Sequence, residues 1–107
     1  MGVNRRRGEV SARFDGSDYS LCLTLGSLAE LEDAFGAQDL NALAERFSSG
    51  RLSAKDMLEI IAAGLRGGGH DIKASALGKM QCDDGVSGCA RVVAQLLEAA
   101  FGSAADR

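Results

Sequence analysis

The chain has 107 residues, 46% hydrophobic and 25% charged, which is one domain's worth of ordinary globular composition. Its net charge of −3 is unevenly spread: residues 1–13 carry +3 (Arg5, Arg6, Arg7 and Arg13 against Glu9), leaving −6 on the rest. An acidic body with a short basic arm lacks the broad basic footprint that phosphate contacts require, so nucleic acid is excluded as a partner.

Residues 9–14 alternate Val10, Ala12 and Phe14 with Glu9, Ser11 and Arg13, the period of a half-buried strand. Asp15-Gly16 suits a tight turn. Tyr19, Leu21, Leu23 and Leu25 then alternate with Ser20, Cys22 and Thr24, which predicts a second strand and an antiparallel hairpin. Ser27 reads as an N-cap, with Glu30 closing a capping box, for a first helix over 28–35 that Gly36 stops. Asp39 caps a second helix bearing Leu40, Leu43, Ala44 and Phe47, and Ser48-Ser49-Gly50 ends it. Ser53, with Asp56 three residues on, opens a third helix whose stripe is Met57, Leu58, Ile61 and Leu65, widened by Ile60. Arg66 complements the dipole of its last turn before Gly67-Gly68-Gly69, read as a flexible inter-helix loop.

Residues 73–80 support only a short helical turn, and 81–85 are polar and acidic. The last helix, over 86–101, carries Val86, Ala90, Val93, Leu97 and Phe101, with Val92, Ala94, Leu96 and Ala100 beside them, and Gly102 closes it. The expected fold class is α+β, an N-terminal β-hairpin followed by a bundle of about four helices. The expected organisation is a flexible basic arm at 1–7, one domain at 8–102 and a flexible tail at 103–107. No apolar run approaches the roughly 20 residues of a membrane span, and the N-terminus has no apolar signal segment. The sequence therefore predicts a cytoplasmic protein that does not meet a membrane.

Catalytic chemistry is not signalled. Gly67 to Gly69 follow a helix, whereas a phosphate cradle needs the backbone N–H groups of a helix N-terminus. His70-Asp71 has no marked nucleophile and reads as a solvated loop. Glu30 and Glu32 point apart on a helix, and Asp83-Asp84 lack the spaced oxygens of a calcium loop. Aromatics at 5% are too few for a base-stacking platform. Cys22, Cys82 and Cys89 are odd in number, and the seven-residue spacing of the last two is not that of a zinc knuckle. They read as small buried or half-buried thiols in a reducing compartment. The expectation is no enzyme, no cofactor and no metal.

What remains is binding. A two-stranded ribbon has long edges that invite pairing, blunted here by Arg13 and Asp18. The third and last helices carry more apolar residues than a thin stripe needs. Ile60, Val92 and Leu96 lie off the main lines, either as extra core or as a surface for a partner helix, and they are the candidate partner-binding residues. Self-association or a protein partner is the function such a chain suggests.

Several segments in order resemble a known family. These are Arg7-Gly8-Glu9-Val10, the run Leu23-Thr24-Leu25-Gly26-Ser27-Leu28-Ala29-Glu30-Leu31-Glu32, and Ala34-Phe35-Gly36. Gly50-Arg51-Leu52-Ser53, Ala62-Ala63-Gly64-Leu65-Arg66-Gly67-Gly68-Gly69 and Leu96-Leu97-Glu98-Ala99-Ala100-Phe101-Gly102 follow. The set is similar to the small tail proteins of gene transfer agents and related siphophages, over about residues 6 to 102. Cys82 and Cys89 stand outside that pattern. The resemblance implies one of two roles. One is a tail assembly chaperone that coats the apolar helices of the tape-measure protein until tube subunits polymerise. The other is a structural tail tube or connector subunit of the particle, working with the major tail protein. Tube subunits of long-tailed phages resemble β-sandwiches stacked in hexameric rings, so two strands and four helical segments suit the chaperone better.

Overall fold

The computed structural model describes residues 8–101. The basic arm assigned to 1–7, the closing Gly102 and the tail at 103–107 lie outside the described residues. Strand β1 (Glu9–Phe14) pairs antiparallel with β2 (Ser17–Cys22), in a register that sets Val10 against Leu21, Ala12 against Tyr19 and Arg13 against Asp18. Asp15 and Gly16 join them with φ of 53° and 80°, the two consecutive positive values that a two-residue hairpin turn requires. Arg13 donates to Asp18 at 3.1 Å across the ribbon. The helices follow as α1 (Leu25–Phe35), α2 (Leu40–Ser48), α3 (Ala54–Gly67), α4 (Ala74–Leu77) and α5 (Gly85–Phe101). The expected α+β architecture is present: a hairpin, four helices of nine residues or more, and the single turn α4.

The start of α1 differs from the sequence reading. Thr24 is the N-cap, its side chain accepting from the Ser27 N–H at 3.0 Å. Ser27 is one turn inside the helix and buried, and its hydroxyl donates to the Ala63 carbonyl at 3.1 Å. The strand alternation through Leu25 hid this boundary. Leu23 is buried, but Leu25 is 75% exposed and already helical. Glu30 then closes no box; it accepts from Arg66 at 2.6 Å and ties α1 to α3. Gly36, Asp39 and the Ser53–Asp56 capping box all form as the spacing predicts.

The glycine run also differs. Helix α3 continues through Gly67 and is capped at Gly68. A Cβ on Gly67 would overlap the Cys22 carbonyl oxygen and lie 2.6 Å from Ser27 Oγ, and one on Gly68 would overlap the Ser20 carbonyl oxygen. These two positions are not loose linker. Their missing side chains let the end of α3 lie directly on β2. Only Gly69, at φ +99°, has open space around it.

The ribbon's outward backbone groups are partly covered. Ser20 N–H, on β2, meets His70 Nε2 at 3.4 Å, and the Arg13 carbonyl, on β1, accepts from Asp83 N–H at 3.2 Å. Strand alternation therefore turns the backbone groups of Asp18, Ser20 and Cys22 of β2, and of Glu9, Ser11 and Arg13 of β1, outward. The core lies between the ribbon's inner face and the helices. Phe14, Leu21, Leu31, Leu43, Ile60, Ile61, Leu65 and Leu96 are fully enclosed. Phe35 and Phe47 meet edge to face at 5.2 Å and bind the end of α1 to α2.

Candidate functional site

Helix α3 presents its buried side to β2 and α1, and its N-terminal half to the short helix α4. The capping box holds that half in place: Asp56 accepts from Ser53 N–H at 3.0 Å and pairs with Arg46 of α2 at 2.9 Å. The backbone hydrogen bond, assisted by the guanidinium, holds the Asp56 carboxyl below the usual aspartate range. On the far side, the chain from Gly78 to Asp84 returns to the hairpin. Asp15 N–H donates to the Gln81 carbonyl at 2.9 Å, and Gln81 N–H donates to Asp15 Oδ1 at 3.0 Å. Phe14 and Cys82 form an isolated antiparallel bridge, so this segment pairs with the tip of β1 at that one position. Asp84 and Gly85, at φ of 68° and 63°, then turn the chain into α5.

Between α3 and this returning segment lies an apolar groove of about 520 Å³. Met57, Leu58 and Ile61 form one wall, and Leu77, Met80 and Val86 the other. Ile61 and Leu77 are its buried floor; Met57, Leu58 and Met80 are half-buried, and Val86 is 75% exposed. Two methionines give the walls adaptable, polarisable side chains, as on surfaces that accept partner helices. The chain's three lysines are exposed, Lys55 on α3 and Lys73 and Lys79 on either side of α4. None of them is ion-paired among the described residues, whereas Arg13, Arg46, Arg66 and Arg91 all are.

The sequence-predicted contact residues do not meet in one surface. Ile60 and Leu96 are 0% exposed; they fill the core between α3 and α5, and Leu96 reaches to 3.0 Å from the position a Cβ on Gly64 would take. They are not available to a partner on the folded chain. The stripe of α3 is wide because β2, α1, α4 and α5 all pack on that helix. Val92 is half-buried beside a shallower, more polar groove of about 430 Å³ between β1 and α5. Sequence reasoning placed Met57, Leu58 and Val86 in core stripes and passed over Met80. The signal it could have used is two methionines flanking a helix too short to bury its own face.

Two further readings change. Cys82 and Cys89 are not free thiols but a disulfide, with Cα atoms 5.9 Å apart, because the turn at Asp84-Gly85 folds the start of α5 back over the loop. Cys22 is the free cysteine and is half-buried. His70 is half-buried, not solvated: its ring meets Tyr19 edge-on at 5.1 Å and its Nε2 accepts from Ser20. The carboxylates are dispersed onto arginines, Glu30 to Arg66, Asp83 to Arg13 and Asp84 to Arg91. Among the described residues no group of His, Cys, Asp and Glu is arranged to hold a metal ion, and no helix is long and apolar enough to cross a membrane.

A family model described as phage tail tube protein, GTA-gp10, matches residues 7–103, nearly the whole chain. No curated protein and no solved structure matches it.

Proposed function

The chain belongs to the phage tail tube protein, GTA-gp10, family, and from that premise we propose that it is a non-enzymatic tail assembly chaperone for the tape-measure protein. The observation that carries this reading is the Met57–Leu58–Met80–Val86 groove, an open apolar channel. An apolar helix of a partner removes water from such walls, at about 25 cal/mol per Å² of apolar surface covered. An unassembled tape-measure protein exposes long apolar helices that aggregate. A chain that binds them reversibly keeps them in solution by mass action, by about 2.7 kcal/mol when present at a hundred times its dissociation constant. Binding and release are the whole mechanism, and the working unit is residues 8–102.

A second reading is a structural tube or connector subunit that stays in the particle beside the major tail protein. The family's description favours it. The scarcity of strands weighs against it, since two strands offer little to a ring built from sheets. Mass spectrometry of purified particles separates the two. A chaperone is absent or present in traces, and a tube subunit is present in many copies.

Co-expression with the tape-measure protein tests the groove itself. Val86→Glu, together with Met80→Glu, is expected to abolish capture while the circular dichroism spectrum stays that of the unaltered chain. Undiminished capture would remove the groove from the account.

A further inference from the structure

We propose that the Cys82–Cys89 disulfide is a thiol-sensitive clamp on one wall of the groove, released when a dithiol reduces it and closed when it re-forms. The site regulated is the groove of the preceding section, and the inference to that extent rests on that reading.

The segment Gly78–Asp84 has few other anchors. Gly78, Lys79, Gln81, Asp83 and Asp84 are exposed, and Met80 is half-buried. Its hold on the ribbon is the Phe14–Cys82 bridge, the hydrogen bonds of Gln81 and Asp83 to Asp15 and Arg13, and the exposed Arg13–Asp83 ion pair. Such near-surface bonds open readily on their own. Cys82 stands at the centre of these attachments. The disulfide carries it to Cys89 on α5, a helix rooted in the core through Val93 and Leu96. Both half-cystines line the groove and are only half-buried, so a small thiol reaches them from the channel.

No third thiol of the chain is placed to take part. Cys22 pairs with Glu9, at the opposite end of the ribbon from Phe14. Five residues of strand separate the two, or about 17 Å. The exchange therefore needs an external dithiol. One thiolate of the reductant attacks a sulfur of the pair, the S–S bond breaks and the other sulfur leaves as a thiolate. The reductant's second thiolate then displaces the mixed disulfide. The dithiol ends as a disulfide, and Cys82 and Cys89 end as two thiols, having gained two electrons and two protons. In the reduced chain the wall bearing Met80 is tethered to the ribbon by near-surface hydrogen bonds and the exposed Arg13–Asp83 ion pair, and it yields to a partner helix. In the oxidised chain the wall is fixed against β1. A reducing cell interior, where tails are built, holds the first state, and an oxidising exterior the second.

Hydrogen exchange read by mass spectrometry on the full chain, with and without dithiothreitol, tests the clamp. Thiol titration should find only Cys22 reactive before reduction and all three cysteines after it. Reduction should speed exchange about tenfold in peptides covering Gln81 to Asp84 and the hairpin tip at Asp15, and leave those of α1 and α2 unchanged. The double variant Cys82→Ser, Cys89→Ser should behave like the reduced chain in either buffer. Equal exchange in both states, or three reactive thiols in the air-oxidised protein, would overturn the clamp. Capture of co-expressed tape-measure protein is scored separately. Intact capture with unresponsive exchange sinks the clamp alone, and responsive exchange without capture sinks the groove reading alone.

Discussion

Replacing Gly67 with alanine puts two opposing effects on one atom. In a helix interior glycine is about 1 kcal/mol worse than alanine, so a free helix end would gain stability. Here the new methyl would overlap the Cys22 carbonyl oxygen and sit 2.6 Å from Ser27 Oγ. The first obstacle is strand backbone, which does not swing aside as a side chain does, so α3 and β2 must separate. Overpacking of this kind costs about 1 to 3 kcal/mol, and a backbone obstacle sets it at the upper end. The net expectation is a loss of about 2 kcal/mol, or a fall in melting temperature of about 8 to 16 °C for a domain of this size. Gly68→Ala, facing the Ser20 carbonyl oxygen, should lose at least as much. Gly69→Ala is the control: no atom lies within 4 Å, and only its φ of +99° opposes a side chain, at about 1 kcal/mol. Urea unfolding followed by circular dichroism gives all three values. Midpoints for Gly67→Ala and Gly68→Ala at or above the parent would refute the claim that these glycines are a packing surface.

The same denaturation assay separates Leu96 from Val92. Leu96→Ala should cost about 2 to 5 kcal/mol as a buried cavity, whereas Val92→Lys should stay within about 1 kcal/mol of the parent; similar losses for both would place Val92 in the core. Asp56 supplies a pH signature. Its carboxyl is held below the ordinary aspartate value of about 3.9 by the Ser53 N–H and Arg46. Its contribution is complete above that value and is lost as pH falls through the lowered one. Asp56→Asn should therefore narrow the gap in urea midpoint between about pH 6 and about pH 3, and an unchanged gap would deny Asp56 that role.

Most local structure was legible because its causes are local. Asp15-Gly16, Gly36, Asp39 and the Ser53–Asp56 pair each act within four residues, and each does what its spacing implies. The errors come from contacts distant in sequence. Ser27 is a good cap by composition, but Ala63, 36 residues away, offers its hydroxyl a buried acceptor and Thr24 takes the cap. Gly67 and Gly68 look like linker until β2 is laid against them. Ile60 and Leu96 looked surplus because a stripe is counted for one packing partner, whereas α3, which carries Ile60, has four, and α5, which carries Leu96, packs on both α3 and β1. The groove was invisible for the same reason. Met57 and Met80 belong to different elements and become neighbours only when the chain from Gly78 to Asp84 returns to the hairpin.

The covering of the ribbon limits how copies of this chain can add to one another. Along β2, Ser20 and Cys22 are occupied by His70 and the glycine end of α3; on β1, Arg13 is taken by Asp83. Among the described residues Glu9 and Ser11 on β1, and Asp18 beside the turn on β2, keep open outward backbone. A ribbon open over such short stretches gives a second copy few backbone groups to pair with. Extended strand addition is thereby disfavoured, and the helix surfaces are the larger faces this chain offers to other copies.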